Sequence, residues 1–299
     1  QPFTTDVFGY QDMIDAGIMD GPRAWSTGPG LFLNQAPATD ADADAILSRY
    51  RDHYRTRNLK SYLVGGRAVR QRVVAAARRM GMMPTTEGAS DHVLGLTHAL
   101  DGFAGNEHNL PLTPLHDDVI RLIVASGMSY VPTLSVLYGG APALPNMLIE
   151  GDPLDDPHIR ATYPAAMIAA KRRDRRWTPP QDMRVADFAA DAIRLQRAGG
   201  LVGMGSHGEV QGIGMHLEMK AYTLGGASPH EALYAATMGS ARTIGHADDV
   251  GSIEPGKFAD LLILSADPRA DIDNSRGIVE VIKGGVRYHD GARSNRTTD

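Results

Sequence analysis

A chain of 299 residues with 42% hydrophobic and 22% charged residues has the make-up of a globular protein, long enough for one large domain or two smaller ones. Its formal charge of −5 argues against nucleic acid as a partner, and the absence of cysteine excludes disulfides and thiolate metal sites. No apolar run approaches the roughly 18 residues of a membrane span. The chain opens at Gln1 with no basic-then-apolar leader, reads as soluble, and is expected to be a processed product or a piece of something longer, so its compartment stays open.

Residues 6–20 read as a helix carrying Phe8, Ile14 and Ile18, with Gly21-Pro22 as its stop. Arg23 to Thr27 is expected as a short strand. A second helix starts at Thr39, a good N-cap, and places Ile46, Leu47, Tyr50 and Tyr54 on one side. Leu59 to Val64 is a strand closed by Gly65-Gly66. Val69, Val73, Ala76, Ala77 and Met80 then recur at helical spacing before Gly81. The alternation continues with a strand over 82–87, a helix near 91–100, and a strand from Gly102 to His108. A helix ending at Gly127 and a strand over 129–136 follow.

Residues 138–180 interrupt the rhythm with prolines and the basic run Lys171 to Arg176. A solvated helix face is the plain reading of that run, and a lid over a site is the sharper one. Val185, Phe188, Ala189, Ala192 and Leu195 define the next helix, and a strand over 201–206 leads into Gly205-Ser206-His207-Gly208-Glu209. Ser228-Pro229-His230-Glu231 has the serine, proline and glutamate of a capped helix start, expected to run to 244. The remainder turns to β: strands at 260–264 and 278–282, then a Lys283-Gly284-Gly285 hairpin, and a polar tail from Gly291.

Six strand–helix units in steady alternation predict a parallel α/β fold, an incomplete (β/α)8 TIM-like barrel. The expected division is a partial barrel over 1–247 and a C-terminal β segment over 248–299. Four strands end in a metal-ligating or acid–base group: Lys60, Glu87, His108 and His207. In a parallel barrel those ends share one face, and imidazole with carboxylate suits a divalent ion such as zinc. Taken singly, each has a plainer explanation as a structural, solvated or capping group. His216 is expected to tie a loop to a helix, and His230 to be exposed.

Several stretches resemble the metal-dependent amidohydrolase superfamily. They are Gly205-Ser206-His207-Gly208 with His216-Leu217-Glu218, then 228–237, and then Gly251-Ser252-Ile253-Glu254-Pro255-Gly256-Lys257-Phe258-Ala259-Asp260-Leu261. The last stretch is similar to the small β-sandwich that accompanies such barrels. Asn58-Leu59-Lys60, Pro84-Thr85-Thr86-Glu87-Gly88 and Glu107-His108-Asn109 resemble the branch whose full-length chains often carry a β-propeller. The resemblance implies that Lys60 matches a lysine that can be carboxylated to bridge two metals, and that His108 matches a strand-six histidine. Glu87 stands where a histidine is usual, and His207 where an aspartate normally takes the proton of the nucleophilic water. The superfamily's first-strand His-x-His pair has no counterpart, since no His-x-His occurs. The first two barrel strands and part of the sandwich are therefore expected upstream of Gln1.

The resulting expectation is a hydrolase of amide, ester or other C–N and C–O bonds in a small molecule, using water activated by one or two divalent ions, zinc foremost. Lys60, Glu87, His108 and His207 are its metal candidates, with His207 and Ser206 as catalytic candidates. The alternatives are a truncated barrel serving as an oligomeric scaffold, because open sheet edges invite pairing, and a metal-independent esterase using Ser206. Met204-Gly205-Ser206-His207-Gly208 lacks the first glycine of a Gly-x-Ser-x-Gly elbow, which weighs against the esterase. Homo-oligomerisation is expected, and neither nucleic acid nor membrane is expected as a partner.

Overall fold

The computed structural model describes residues 8–88, 90–137, 152–173, 178–208, 210–289 and 292–293. Its framework is a run of parallel strands alternating with helices: α1 (Gly9–Asp15), α2 (Asp40–Asp52), β1 (Asn58–Ser61), α3 (Arg67–Arg79), β2 (Met83–Thr86), α4 (His92–Asp101), β3 (Gly105–Glu107), α5 (Asp117–Ser126) and β4 (Ser129–Val131). Local chemistry sets the helix ends. Thr39 Oγ1 accepts the Asp42 N–H at 3.1 Å while the Asp42 carboxylate accepts the Thr39 N–H at 2.8 Å, a complete capping box for α2. Asp91 caps α4 through the Leu94 N–H at 2.9 Å. Left-handed Gly102 and Gly127 end α4 and α5.

β1 to β4 pair in sequence order, all parallel, with Lys60 beside Thr85, Thr85 beside Gly105 and Gly105 beside Ser129. Single parallel bridges add Leu31 beside Ser61 and Val202 beside Tyr130. Six parallel positions therefore exist among the described residues, as the alternation predicts, but the strands expected over 102–108 and 129–136 shorten to Gly105–Glu107 and Ser129–Val131, and two others differ more. Arg23 to Thr27 forms no strand. Side chains hold this segment instead: Arg23 pairs with Asp260 at 2.9 Å and lies 3.8 Å from the Phe258 ring centre, and Trp25 stacks on His246 at 4.1 Å. Leu31 takes the edge position, donating to the Lys60 carbonyl at 2.8 Å and accepting from the Tyr62 N–H at 2.9 Å. The strand expected over 201–206 shrinks to the bridge at Val202. The Met204 N–H goes to Ser240 Oγ at 3.0 Å rather than to a neighbouring strand, which ends the ladder there.

Helices cover the outer face of the sheet. Leu31, Leu47, Tyr50, Leu59, Val73 and Ala77 close the core under α2 and α3. A larger cluster includes Phe103, Ile123, Tyr130, Phe188, Val202 and Tyr222. The described part of the insertion holds α6 (Pro157–Thr162) and α7 (Ala165–Arg173), and residues 138–151 and 174–177 lie outside the described residues. Its Leu154, Ile159 and Ile168 pack on Val210, Ile213 and Leu217, so the insertion sits just downstream of His207. Within the basic run, Arg172 pairs with Asp152 at 2.8 Å and Asp155 at 2.7 Å.

After α8 (Val185–Arg197) and α9 (Gly214–Leu224), the capped helix begins as α10 (Pro229–Tyr234), with the Ser228/Glu231 capping box and Pro229 in its first turn. It passes through a π turn at Ala235–Gly239 and ends as α11 (Ser240–Thr243). Ser240 Oγ donates to the Ala235 carbonyl at 2.8 Å, filling the gap that the wider turn opens. The remaining strands, β5 (Leu261–Leu264), β6 (Ile278–Lys283), β7 (Val286–His289) and β8 (Ala292–Arg293), form a small antiparallel sheet in sequence order. The tail residues 294–299 lie outside the described residues.

Candidate active site

Because β1 to β4 run parallel, their carboxyl ends emerge on one face. Lys60 is the third residue of β1, Glu87 follows β2, Glu107 ends β3 and is followed by His108, and Thr133 lies just past β4. His207 lies beyond the bridge at Val202. A cavity of about 1440 Å³ is lined by Lys60, Glu87, Glu107, His108, Thr133 and His207, among others. Residues far apart in the chain thus meet through register alone.

Lys60 organises the contacts. Its ammonium is buried between two carboxylates, donating to Glu87 Oε2 at 2.9 Å and to Glu107 Oε2. Glu107 Oε1 accepts from Thr85 Oγ1 at 2.6 Å, which fixes that carboxylate from the neighbouring strand. Burial pushes the Lys60 ammonium down, but the carboxylates of Glu107 and Glu87 outweigh it and hold the group above its ordinary value. Burial likewise pushes the Glu87 carboxyl up, yet His108 and Lys60 prevail and bring it to about 2. The site therefore contains an ammonium and ionised Glu87 at neutral pH.

The buried imidazole of His108 is held at both nitrogens. Nε2 lies 3.2 Å from Glu87 Oε2, and Nδ1 meets Thr133 Oγ1. The Thr133 hydroxyl donates its proton to the Pro132 carbonyl at 2.8 Å. The Glu87 carboxylate faces Nε2 as an acceptor, so the ring is held between that carboxylate and the Thr133 hydroxyl. The exposed His207 ring stands across from it, with centres 5.1 Å apart. Among the described residues, four that are not glycine have left-handed φ, and three belong to this site: His108 at 67°, Thr133 at 47° and His207 at 55°. A β-branched residue in that region is strained, and the concentration at one face is the pattern of a functional site.

The other candidates fall elsewhere. Ser206 packs against Gly214, where an added Cβ would come within 2.7 Å of Ser206 Cβ, and its carbonyl accepts from Ser135 Oγ at 3.1 Å. Glu209, which closes the glycine-rich turn, lies outside the described residues. His216 Nδ1 meets Ser275 Oγ at 2.9 Å, tying α9 to the turn before β6. His230 is exposed in the first turn of α10. Sequence reasoning missed Glu107 and Thr133. Period-two alternation along β3 would have placed Glu107 on the face of Gly105 and pointed to it.

The resemblance to amidohydrolases implies a divalent ion, and the donors can be tested for it. Two ligands about 2.0 Å from a tetrahedral zinc stand about 3.3 Å apart. The 3.2 Å between His108 Nε2 and Glu87 Oε2 matches one edge of such a shell, and both donors have suitable chemistry. Among the described residues no group of three His, Cys, Asp or Glu is arranged to hold a metal, so this pair is the part of a shell that the geometry supplies.

Comparison with known proteins agrees with this architecture. An imidazolonepropionase from Geobacillus kaustophilus (strain HTA426) is 40% identical over 111 residues, 34% of this chain and 26% of that protein. The match thus spans about a quarter of the length of that relative. A crystal structure of a Xaa-Pro dipeptidase with methionine in its active site has a TM-score of 0.66 at 20% identity, covering 94% of this chain and 72% of the dipeptidase. Molinate hydrolase gives a TM-score of 0.63 at 17% identity over 94% of this chain and 69% of its own. These likenesses establish the fold as that of the TIM-like barrels of such enzymes, here with six parallel positions among the described residues. Residues 68–287 match the sequence pattern of the amidohydrolase family, and the chain belongs to that family.

Proposed function

We propose that the chain hydrolyses an amide or related C–N bond of a small molecule at the face where β1 to β4 end. The observation that carries this reading is the convergence of His108 Nε2 and Glu87 Oε2 at 3.2 Å, beside a buried ammonium and opposite His207. Glu87 and His108 are the residues that would hold a divalent ion, zinc foremost. When bound, such an ion supplies an acidified water and a polarised carbonyl.

The remaining steps belong to the side chains. His207, exposed at the rim, accepts the proton released when water attacks the carbonyl carbon and returns it to the leaving nitrogen. Lys60 donates hydrogen bonds that keep Glu87 ionised and aimed at His108. Glu107 holds the Lys60 ammonium in place. The carboxylated form of Lys60 is a second state of the same position: it requires the nitrogen to lose its proton and leave both carboxylates. Tyr62 and Trp25 line the same cavity and offer apolar surface to a substrate. The division into a barrel over 1–247 and a β segment over 248–299 is part of this proposal.

The test starts from the substrate classes in the neighbours' names, Xaa-Pro dipeptides and molinate, with metal content measured on the purified chain. Hydrolysis that stops with a chelator, returns with zinc and falls at least about 100-fold in His108→Ala is the expected result. Activity that survives chelation and disappears in Ser206→Ala would assign the reaction to the serine.

A further inference from the structure

We propose that Glu218 is a positioning residue that sets both site histidines by clamping the turn between them, Thr133 to Ser135. The inference rests on the hydrolase reading for its kinetic consequence, and on geometry alone for its structural one.

Glu218 lies on α9, outside the cavity, and is fully buried. Its two carboxylate oxygens are used separately. Oε2 accepts the Leu134 N–H at 2.8 Å and Oε1 accepts the Ser135 N–H at 2.7 Å. These two amides follow Thr133, whose backbone is strained and has no ladder partner there. From this clamped turn two contacts lead to the histidines. Thr133 Oγ1 meets His108 Nδ1 and holds that side of the ring. Ser135 Oγ donates to the Ser206 carbonyl at 3.1 Å, and Ser206 is the residue before His207. One side chain on one helix therefore sets the approach of two imidazoles from two different loops.

A carboxylate in this place has a cost that simple packing would avoid. Burial pushes the Glu218 carboxyl up to about 7, against the pull of the Ser135 and Leu134 amides. An apolar residue would leave both amides unpaired and the turn free to relax toward an unstrained φ. What the carboxylate supplies is a pair of acceptors at a fixed spacing, which holds Thr133 in a conformation it would otherwise leave. Glutamine is the discriminating substitution. It has the same size, but its NH2 faces one of the two amide donors, so one leg of the clamp is lost.

The experiment uses the full chain with 15N-labelled histidine at pH 8, where Glu218 is ionised. Long-range 15N–1H correlations read the tautomer of each imidazole, with His108→Gln and His207→Gln giving the assignments. Glu218→Gln is expected to shift or mix the tautomers of both His108 and His207. Ser135→Ala is expected to move His207 and leave His108 in place, and Thr133→Val to move His108 alone. In hydrolysis assays Glu218→Gln should lower kcat about 10–100-fold with KM changed less than about threefold, the size expected of a residue supporting a ligand from behind. Unchanged imidazole resonances in Glu218→Gln would overturn the proposal. If that variant does not fold, Ser135→Ala decides: a His207 signal identical to the parent overturns it equally. If the parent hydrolyses nothing, the functional reading fails, and the resonances still judge the clamp.

Discussion

At the residue scale, Glu87 in the site and Glu218 on α9 outside it have their proton affinities moved in opposite directions by their surroundings. Burial raises Glu87, but His108 and Lys60 take it below its ordinary 4.5 to about 2, whereas burial carries Glu218 to about 7. The signs of their contributions to stability follow. The folded state binds Glu87's proton less tightly than the unfolded chain, so its contribution is present above pH 4.5 and lost as pH falls toward 2. The folded state binds Glu218's proton more tightly, so its contribution is complete below pH 4.5 and is lost as pH rises through 7, by roughly 3 kcal/mol. Urea unfolding followed from pH 3 to 9 checks both. Relative to the parent, Glu87→Gln should flatten the acid limb, and Glu218→Gln should remove the decline between pH 4.5 and 7.

At the scale of elements, the last parallel position and the helix behind it are fitted by close approach. A Cβ on Gly239 would come within 2.3 Å of the Val202 carbonyl oxygen, a backbone atom that cannot swing aside. Gly239→Ala is therefore expected to push the π turn off the sheet and destabilise the chain by about 1–3 kcal/mol. Ser228→Ala, which removes a cap on the exposed start of α10, should cost about 1 kcal/mol without moving the turn. Thermal melts of the two variants compare a packing clash with a lost cap. The clash should also weaken hydrolysis, because Ser240, next to Gly239, holds Met204 three residues before His207.

At the scale of the whole molecule, the second sheet presents apolar side chains to solvent: Leu262, Ile263, Val279 and Val281 are all exposed. An exposed apolar patch of this kind marks an interaction surface. It is one observation in favour of the homo-oligomer expected from the sequence. A native mass above that of one chain is the expected measurement, and Val281→Lys should return it to the monomer. No helix among the described residues is long and apolar enough to cross a membrane.

Much of this protein was legible because its signals are local. Thr39 with Asp42 and Ser228 with Glu231 announce helices through contacts spanning three residues, and Gly81 and Gly127 mark helix ends by backbone conformation, whereas Gly102, expected as a strand start, is the left-handed end of α4. Steady alternation was enough to count six parallel positions and to place Lys60, Glu87, His108 and His207 at their ends. It misplaced the first strand because Arg23 and Trp25 are held by packing on distant side chains and not by a ladder. By itself the sequence determined the order of elements, the family and the kinds of donor at the strand ends. Only the tertiary structure decided that Lys60 lies between Glu87 and Glu107, that Thr133 meets His108, and that Glu218 accepts from the Leu134 and Ser135 amides. Those contacts join residues tens of positions apart through sheet register and helix docking, and no short-range pattern encodes either.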